Sequence, residues 1–357
     1  LEELKNSVNI AELLDSTTLS QISQQVINGY KIDEDSRAEW KETVNKAMAI
    51  AKQVVEPKNH PWPNASNIKF PLISDAAIQF AARVMPEIIQ NDSIVRASTI
   101  GNDPDDSKLK RAHRVGTYMS YQLACESPDW EDGTDKLLQV LPILGTAFKK
   151  TYYDSMEKRN ISTLCVPDKI VVNYDIQSLE AARRITHILV MYSNDIIERQ
   201  RRGLFCEEVD VESLQDKADG VDKDHPIELL EQHCYLDLDN DGYKEPYIVT
   251  VHEKSMQVLR IVNRFDTIEY DKKTNKVVCI EPIQYFTDFH FIRSPDGGFY
   301  SIGFGSLLLP INSAINTLIN QLLDAGTLSN TQGGFLGRGL RIKNGEFKIK
   351  MGEWKVL

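Results

Sequence analysis

The feature that most constrains this chain is a long helix predicted after the turn cluster at residues 294–298. Apolar side chains recur there at three- and four-residue spacing, which predicts a helix with one apolar face; they are Leu308, Ile311, Ile315, Leu318 and Leu322. The opposite face carries uncharged polar side chains, and its first charge is Asp324. The simplest interpretation of this periodicity is a core helix with a polar outer stripe.

The polar face of this helix is unusual because a solvated helix surface normally carries Lys and Glu. Its members are Asn312, Asn316, Thr317, Asn320 and Gln321. An uncharged amide face indicates either close packing against a neighbour or a surface along which a partner slides. We expect the amides to lie on the outer side of the helix.

Charge and cysteine content limit the classes of partner. The chain has 357 residues, a net charge of -11 and a pI of about 5.2. This acidity argues against tight, sequence-specific DNA binding, because such proteins grip phosphates with basic side chains. The acidity is compatible with DNA passing nearby, since an acidic surface repels phosphate and prevents tight binding. The five cysteines include no C-x-x-C pair and fit reduced thiols rather than a zinc site.

The order of patterns along the chain predicts an α+β fold. Helical periodicity dominates to about residue 150, including a buried helix predicted over residues 134–150. Short β-type runs follow at residues 164–172, 186–192 and throughout 229–292. A hairpin with Asn344-Gly345 at its turn is predicted over residues 340–350. A basic helix start at residues 108–114 is expected to pair with the aspartates of the preceding turn.

The sharpest local motif is an acidic loop with alternating oxygen ligands. Asp237, Asp239 and Asp241 are followed by Gly242, which permits a tight bend, and then by Glu245. Hard cations such as Ca²⁺ require this spacing, and the opening matches an EF-hand loop. The closing position of that pattern would be Ile248, which has no carboxylate, and the flanks are strand-like. We interpret the four carboxylates as candidate Ca²⁺ ligands; the alternative is a plain acidic hairpin tip.

Catalytic signatures do not occur in the sequence. It contains no G-x-x-x-x-G-K-[ST], H-E-x-x-H or G-x-S-x-G motif, and no two histidines have metal-ligand spacing. We therefore predict no catalytic residues and no cofactor beyond the Ca²⁺ candidate. A metal-dependent hydrolase using Asp237, Asp239 and Asp241 is the enzyme alternative.

Several segments in a fixed order carry a family resemblance. They are residues 61–67 (PWPNASN) with 70–72 (FPL), 145–154 (GTAFKKTYYD), 294–300 (SPDGGFY) and 324–330 (DAGTLSN). In these the chain resembles the portal proteins of tailed double-stranded DNA bacteriophages, from about Lys58 to the last residue. The resemblance implies a ring of about twelve copies at one capsid vertex of the virion, assembled in the host cytoplasm.

The resemblance also implies partners and a division of the chain. DNA would pass through the ring without sequence specificity, and the terminase, the major capsid protein and tail or adaptor proteins would dock on it, with no membrane contact. The implied parts are a mostly helical wing (1–192), stem helices (193–203 and 301–327), a β-rich clip (204–300) and a return to the wing (328–357). A crown would lie in further sequence. On this interpretation the amide face lines the DNA channel.

A third class of protein remains open from the residues. A calcium-stabilised, β-rich tail or adhesion module would use the same acidic loop. It predicts a monomer or a trimer rather than a large ring.

Overall fold

The structure is a computed structural model that describes residues 7–55, 65–89, 94–155, 157–214, 225–239, 241–271 and 277–330. A 3₁₀ turn (Ile10–Leu13) opens it, and a π-helical turn spans Gln122–Glu126. The helices are α1 (Ser16–Ser36), α2 (Ala38–Ala51), α3 (Leu72–Ile88), α4 (Ser107–Tyr121), α5 (Asp129–Leu144), α6 (Ser193–Arg201), α7 (Val211–Leu214) and α8 (Phe304–Asn330). None of the described helices is both long enough and apolar enough to cross a bilayer.

The described strands form three antiparallel sheets. They are β1 (Thr146–Asp154), β2 (Arg159–Cys165), β3 (Ile170–Val171), β4 (Ile185–Met191), β5 (Ile227–Leu236), β6 (Glu245–His252), β7 (Gln257–Asn263), β8 (Phe265–Tyr270), β9 (Val277–Pro282) and β10 (Phe286–His290). The largest sheet has the order β3-β4-β5-β6-β7, a second has β10-β1-β2, and β8 pairs with β9. The mixture of helices and antiparallel sheets confirms the α+β class.

Helix α1 and the 3₁₀ turn before it cover the five-stranded sheet. Ile22 and Val26 of α1 lie in one buried core with Leu229, Tyr247 and Val249 of the sheet. Burial of such side chains is the main favourable term in folding. The helical prediction for this region is therefore confirmed, and its apolar stripe faces the sheet.

A buried arginine stabilises the junction between α1 and α2. Arg37, between α1 and α2, is fully buried and donates to the carbonyl oxygens of Pro167 (2.7 Å) and Ile170 (2.9 Å). Its Nε also donates to Glu34 Oε2 at 2.8 Å. Because a buried guanidinium needs all of its N–H groups satisfied, these contacts fix the helices against the start of the five-stranded sheet.

Glycines allow a close backbone crossing next to the last helix. The helix predicted over residues 134–150 ends instead at Leu144, because Gly145 adopts φ +85°, and residues 146–154 form β1. A Cβ on Gly145 would lie 2.2 Å from the Ser301 carbonyl oxygen, and one on Gly303 would lie 2.4 Å from that of Ile143. The crossing places the start of α8 against the end of α5.

The sheets extend across the predicted boundaries at residues 192 and 204. Strand β4 pairs along its length with β5 across α6, and β10 pairs with β1. Strands of the predicted clip therefore share sheets with strands of the predicted wing, and the assignment of wing, stem and clip stays a prediction. Helix α6, the first predicted stem helix, has only nine residues and buries Ile196 in the large core. The predicted hairpin at residues 340–350 lies outside the described residues.

Candidate functional site: an acidic loop and an amide ladder

Helix α8 holds an extended segment of its own chain through a row of side chains that we term the amide ladder, Asn316, Asn320 and Asp324. The backbone N–H of Phe70 donates to Asn316 Oδ1 at 2.7 Å, and that of Ile68 donates to Asn320 Oδ1 at 2.7 Å. The N–H of Ser66 donates to Asp324 Oδ1 at 2.8 Å, and Asn320 Nδ2 returns a bond to the Ile68 carbonyl oxygen at 3.0 Å.

The ladder depends on a match between two backbone periods. Four residues advance a helix by about 6.0 Å, and two residues advance an extended chain by about 6.6 Å. Side chains at four-residue spacing on α8 therefore reach every second N–H of residues 66–70. Polar side chains recur at this four-residue spacing from Asn312 to Asp324, and the chain also contains a Pro-bounded extended segment. Together these two patterns could have predicted the ladder from the sequence.

The burial of the ladder corrects the predicted channel face. Asn312, Asn316 and Asn320 are 0%, 8% and 7% exposed, so these amides cannot contact DNA in this structure. Of the predicted face, only Thr317 and Gln321 are exposed. The prediction was wrong because a buried amide costs little when it is hydrogen-bonded, and here its partner lies about 250 residues away in sequence.

The side of α8 predicted to be buried is instead largely exposed. Its exposed apolar side chains are Leu307, Ile311, Leu318, Leu322 and Leu328, of which Leu322 is 73% exposed. We term these residues the outer face of α8. Across the 27 residues of the helix the sole ionisable side chain is Asp324, which is buried. The outer face is therefore uncharged as well as apolar.

The acidic loop lies at the tip of the hairpin formed by β5 and β6. The two strands pair as far as Leu236 and Glu245, so the loop is short and its ends are fixed by the sheet. Asp237, Asp239, Asp241 and Glu245 each place one carboxylate oxygen within 4.8 Å of the others. The structure thus brings together all four predicted ligands.

Backbone hydrogen bonds shape this loop. Gly242 adopts φ +90°, a conformation that favours glycine, and its N–H donates to Asp237 Oδ2 at 3.1 Å. The Tyr243 N–H donates to Asp241 Oδ1 at 2.7 Å. These bonds curl the loop so that its carboxylates converge.

Glu245 differs from the three aspartates of the cluster because its side chain is buried. It is fully buried, and neither of its carboxylate oxygens has a hydrogen-bond partner among the described residues. Burial raises the pKa of Glu245 to about 7, and the nearby Asp239, Asp241 and Asp237 carboxylates raise it further. The buried Asp237 Oδ1 is also without a partner in the part of the chain that the structure describes. An arrangement of convergent, unsatisfied carboxylate oxygens can hold a hard cation.

The structure also aligns an Asp–His–Ser line that sequence reasoning missed. His290 Nδ1 lies 2.7 Å from Ser301 Oγ, and His290 Nε2 lies 2.6 Å from Asp288 Oδ2. The hydrogen bond with His290 holds the pKa of Asp288 below its usual range. Ser301 is only 4% exposed, and its N–H is bound by Thr146 Oγ1. Because the Ser301 hydroxyl is buried, it is not accessible to a substrate in this structure. The Asp–His–Ser line instead stabilises the backbone crossing between Gly145 and residues 301–303.

The fold and its sites define a mixed α+β protein with an internal amide ladder and a convergent acidic loop. A scan against protein-family models finds no match, and a search of curated proteins finds no significant relative. The functional conclusion is therefore drawn from the chain's own residues.

Proposed function

We propose that this chain is a structural subunit of portal type, which assembles into a closed homo-oligomeric ring that conducts double-stranded DNA. The resemblance in residues 61–72, 145–154 and 294–330 suggests the class of protein. The observation that carries the proposal is the uncharged outer face of α8.

The outer face supports assembly with copies of the same chain. Copies of a chain with net charge -11 repel one another. The electrostatic repulsion between two copies is smallest where they meet through an uncharged surface. Depletion of charge is also the compositional mark of interface cores. At 1.5 Å per residue, α8 is about 40 Å long, which provides a continuous strip for a neighbour.

A second exposed helix supplies the other surface that a ring requires. Closed rings use head-to-tail contacts, so each subunit needs two different complementary patches. In α4 only Gly116 is buried, and apolar Val115 and Tyr118 are exposed. Its basic side chains make no ion pair among the described residues; they are Lys108, Lys110, Arg111 and Arg114. The expected ion pairs with the adjacent aspartates do not form among the described residues. Asp103 accepts from the backbone N–H groups of Lys108 and Leu109, and Lys108 Nζ donates to the carbonyl oxygen of Asn102.

DNA conduction follows from the resemblance and from the acidity of the chain, since an acidic conduit does not retain phosphate. The amide ladder has no part in it. Docking of a terminase and of tail or adaptor proteins belongs to the same proposal.

The test is the mass and shape of the full chain. Mass photometry and negative-stain microscopy should show closed rings of about twelve copies with a central hole. A uniform monomer or trimer would overturn the proposal and would favour the calcium-stabilised module instead.

A further inference from the structure

We infer that the loop between β5 and β6 is a calcium site, with Asp237, Asp239 and Asp241 as loop ligands and Glu245 as the closing ligand. This inference does not rest on the portal proposal, because it uses only contacts within one hairpin.

The first step is the convergence of the four carboxylates. One oxygen from each lies within 4.8 Å of the others, although like charges repel at this distance. Exposed acidic residues alone would not indicate a ligand, because solvated side chains can simply turn apart. Here backbone hydrogen bonds from Gly242 and Tyr243 hold two of the aspartates inward.

The second step is Glu245, which cannot turn to solvent. Its side chain is fully buried at the first residue of β6, and within the described part of the chain both carboxylate oxygens lack a partner. A buried carboxylate without hydrogen bonds is strongly disfavoured, and a cation on the loop would satisfy it. Tyr247, two residues further along the same strand, also has a buried hydroxyl with no partner among the described residues.

The third step is the identity of the ion. All candidate ligands are oxygens, which excludes a soft-metal site. Positions 1, 3 and 5 with glycine at 6 follow the EF-hand order, and Glu245 stands at position 9. It closes the site from a strand, where an EF-hand would use position 12 in its second helix. The flexible loop and the clustered carboxylates fit Ca²⁺ better than Mg²⁺, which requires near-ideal octahedral geometry.

The experiment is calorimetric titration of the full chain after treatment with a chelator. CaCl₂ should give a saturable isotherm with one ion per chain and a dissociation constant below about 1 mM. The midpoint of thermal unfolding should rise with Ca²⁺ concentration, and equal MgCl₂ should have a smaller effect.

Matched variants make the result specific. Asp239→Ala/Asp241→Ala changes two exposed residues and should weaken Ca²⁺ binding at least about tenfold. Glu245→Gln keeps the shape and should also weaken binding, while the ion-free protein becomes no less stable. Asp105→Ala/Asp175→Ala removes two exposed carboxylates elsewhere and should bind like the parent chain. No saturable binding by the parent chain, or equal binding by the Asp239/Asp241 variant, would overturn the inference.

Discussion

At the scale of single residues, the chain uses asparagine as a core residue. The ladder side chains are buried because each oxygen accepts a backbone N–H of the extended segment. Asn312 continues the same row but differs from the others. It is fully buried, and neither its Oδ1 nor its Nδ2 has a partner among the described residues. The ladder ends there because the extended segment turns into α3 at Leu72.

This contrast predicts opposite outcomes for two chemically identical substitutions. Asn320→Ala removes both bonds to Ile68 and should lower the free energy of unfolding by about 2–3 kcal/mol, since it leaves backbone groups unsatisfied. Asn312→Ala removes an unsatisfied amide and should change stability by less than about 1 kcal/mol. Urea denaturation of the two variants checks this. Equal losses in both would mean that the ladder bonds contribute nothing specific.

Residue patterns predicted the acidic loop because its ligands are local in sequence. The ladder and Arg37 were not predictable in the same way. A periodicity shows which side chains share a helix face, but it does not show whether that face meets apolar groups, solvent or an extended backbone. Arg37 resembles any surface arginine until the carbonyl oxygens of Pro167 and Ile170 are placed around it.

At the scale of elements, a cluster of ionisable side chains joins the two larger sheets. We term this cluster, Lys150, His187, Glu231 and His233, the seam. Lys150 of β1 forms an ion pair with Glu231 of β5. Although burial opposes ionisation, Lys150 and the neighbouring His233 hold the pKa of Glu231 well below its usual range. His187 of β4 lies beside this pair, with its Nε2 3.7 Å from Cys165 Sγ of β2. The seam therefore links strands of both sheets.

The seam predicts a pH dependence of stability. Burial and the positive charge of Lys150 lower the pKa of His187 from 6.5 to about 4, with Glu231 opposing the shift and His233 and Lys169 adding to it. Between these values the unfolded chain binds a proton that the folded chain does not. Stability should therefore fall as the pH drops from 6.5 to 4, by up to about 3 kcal/mol from this group.

His187→Phe keeps a ring at the seam and removes the titrating group. The variant should lose less stability between pH 6.5 and pH 4 than the parent chain in parallel denaturant titrations. His233, whose pKa burial also lowers, remains in both proteins. Identical pH profiles would show that His187 is not held neutral.

Helices and strands were largely predictable from periodicity, but one boundary and the sheet order were not. The apolar run before Gly145 continues into β1, so hydrophobicity alone gave no reason to end the helix. The positive φ at Gly145 depends on the crossing with residues 301–303, which are distant in sequence. Pairing of β4 with β5 across α6 is likewise a long-range choice that local patterns do not encode.

At the scale of the whole molecule, the rotation of α8 about its own axis determines both which side chains form the buried ladder and which form the exposed outer face. Hydrogen bonding to residues 66–70 turns the amides inward, and the leucines on the other side are then left uncovered within the described part of the chain. An exposed strip of this kind is costly in water. We expect it to be covered in the assembled ring.

The most direct test of this account changes the outer face and leaves the ladder intact. Leu318→Lys/Leu322→Lys places two like charges on that face and should abolish ring formation in mass photometry, while circular dichroism remains that of the parent chain. Ile32→Lys on α1 is the matched control, because Ile32 and Leu318 are both 58% exposed on helices. The control should assemble normally. If the Leu318/Leu322 variant forms the same rings as the parent chain and the control, the outer face of α8 is not the interface and the account is contradicted.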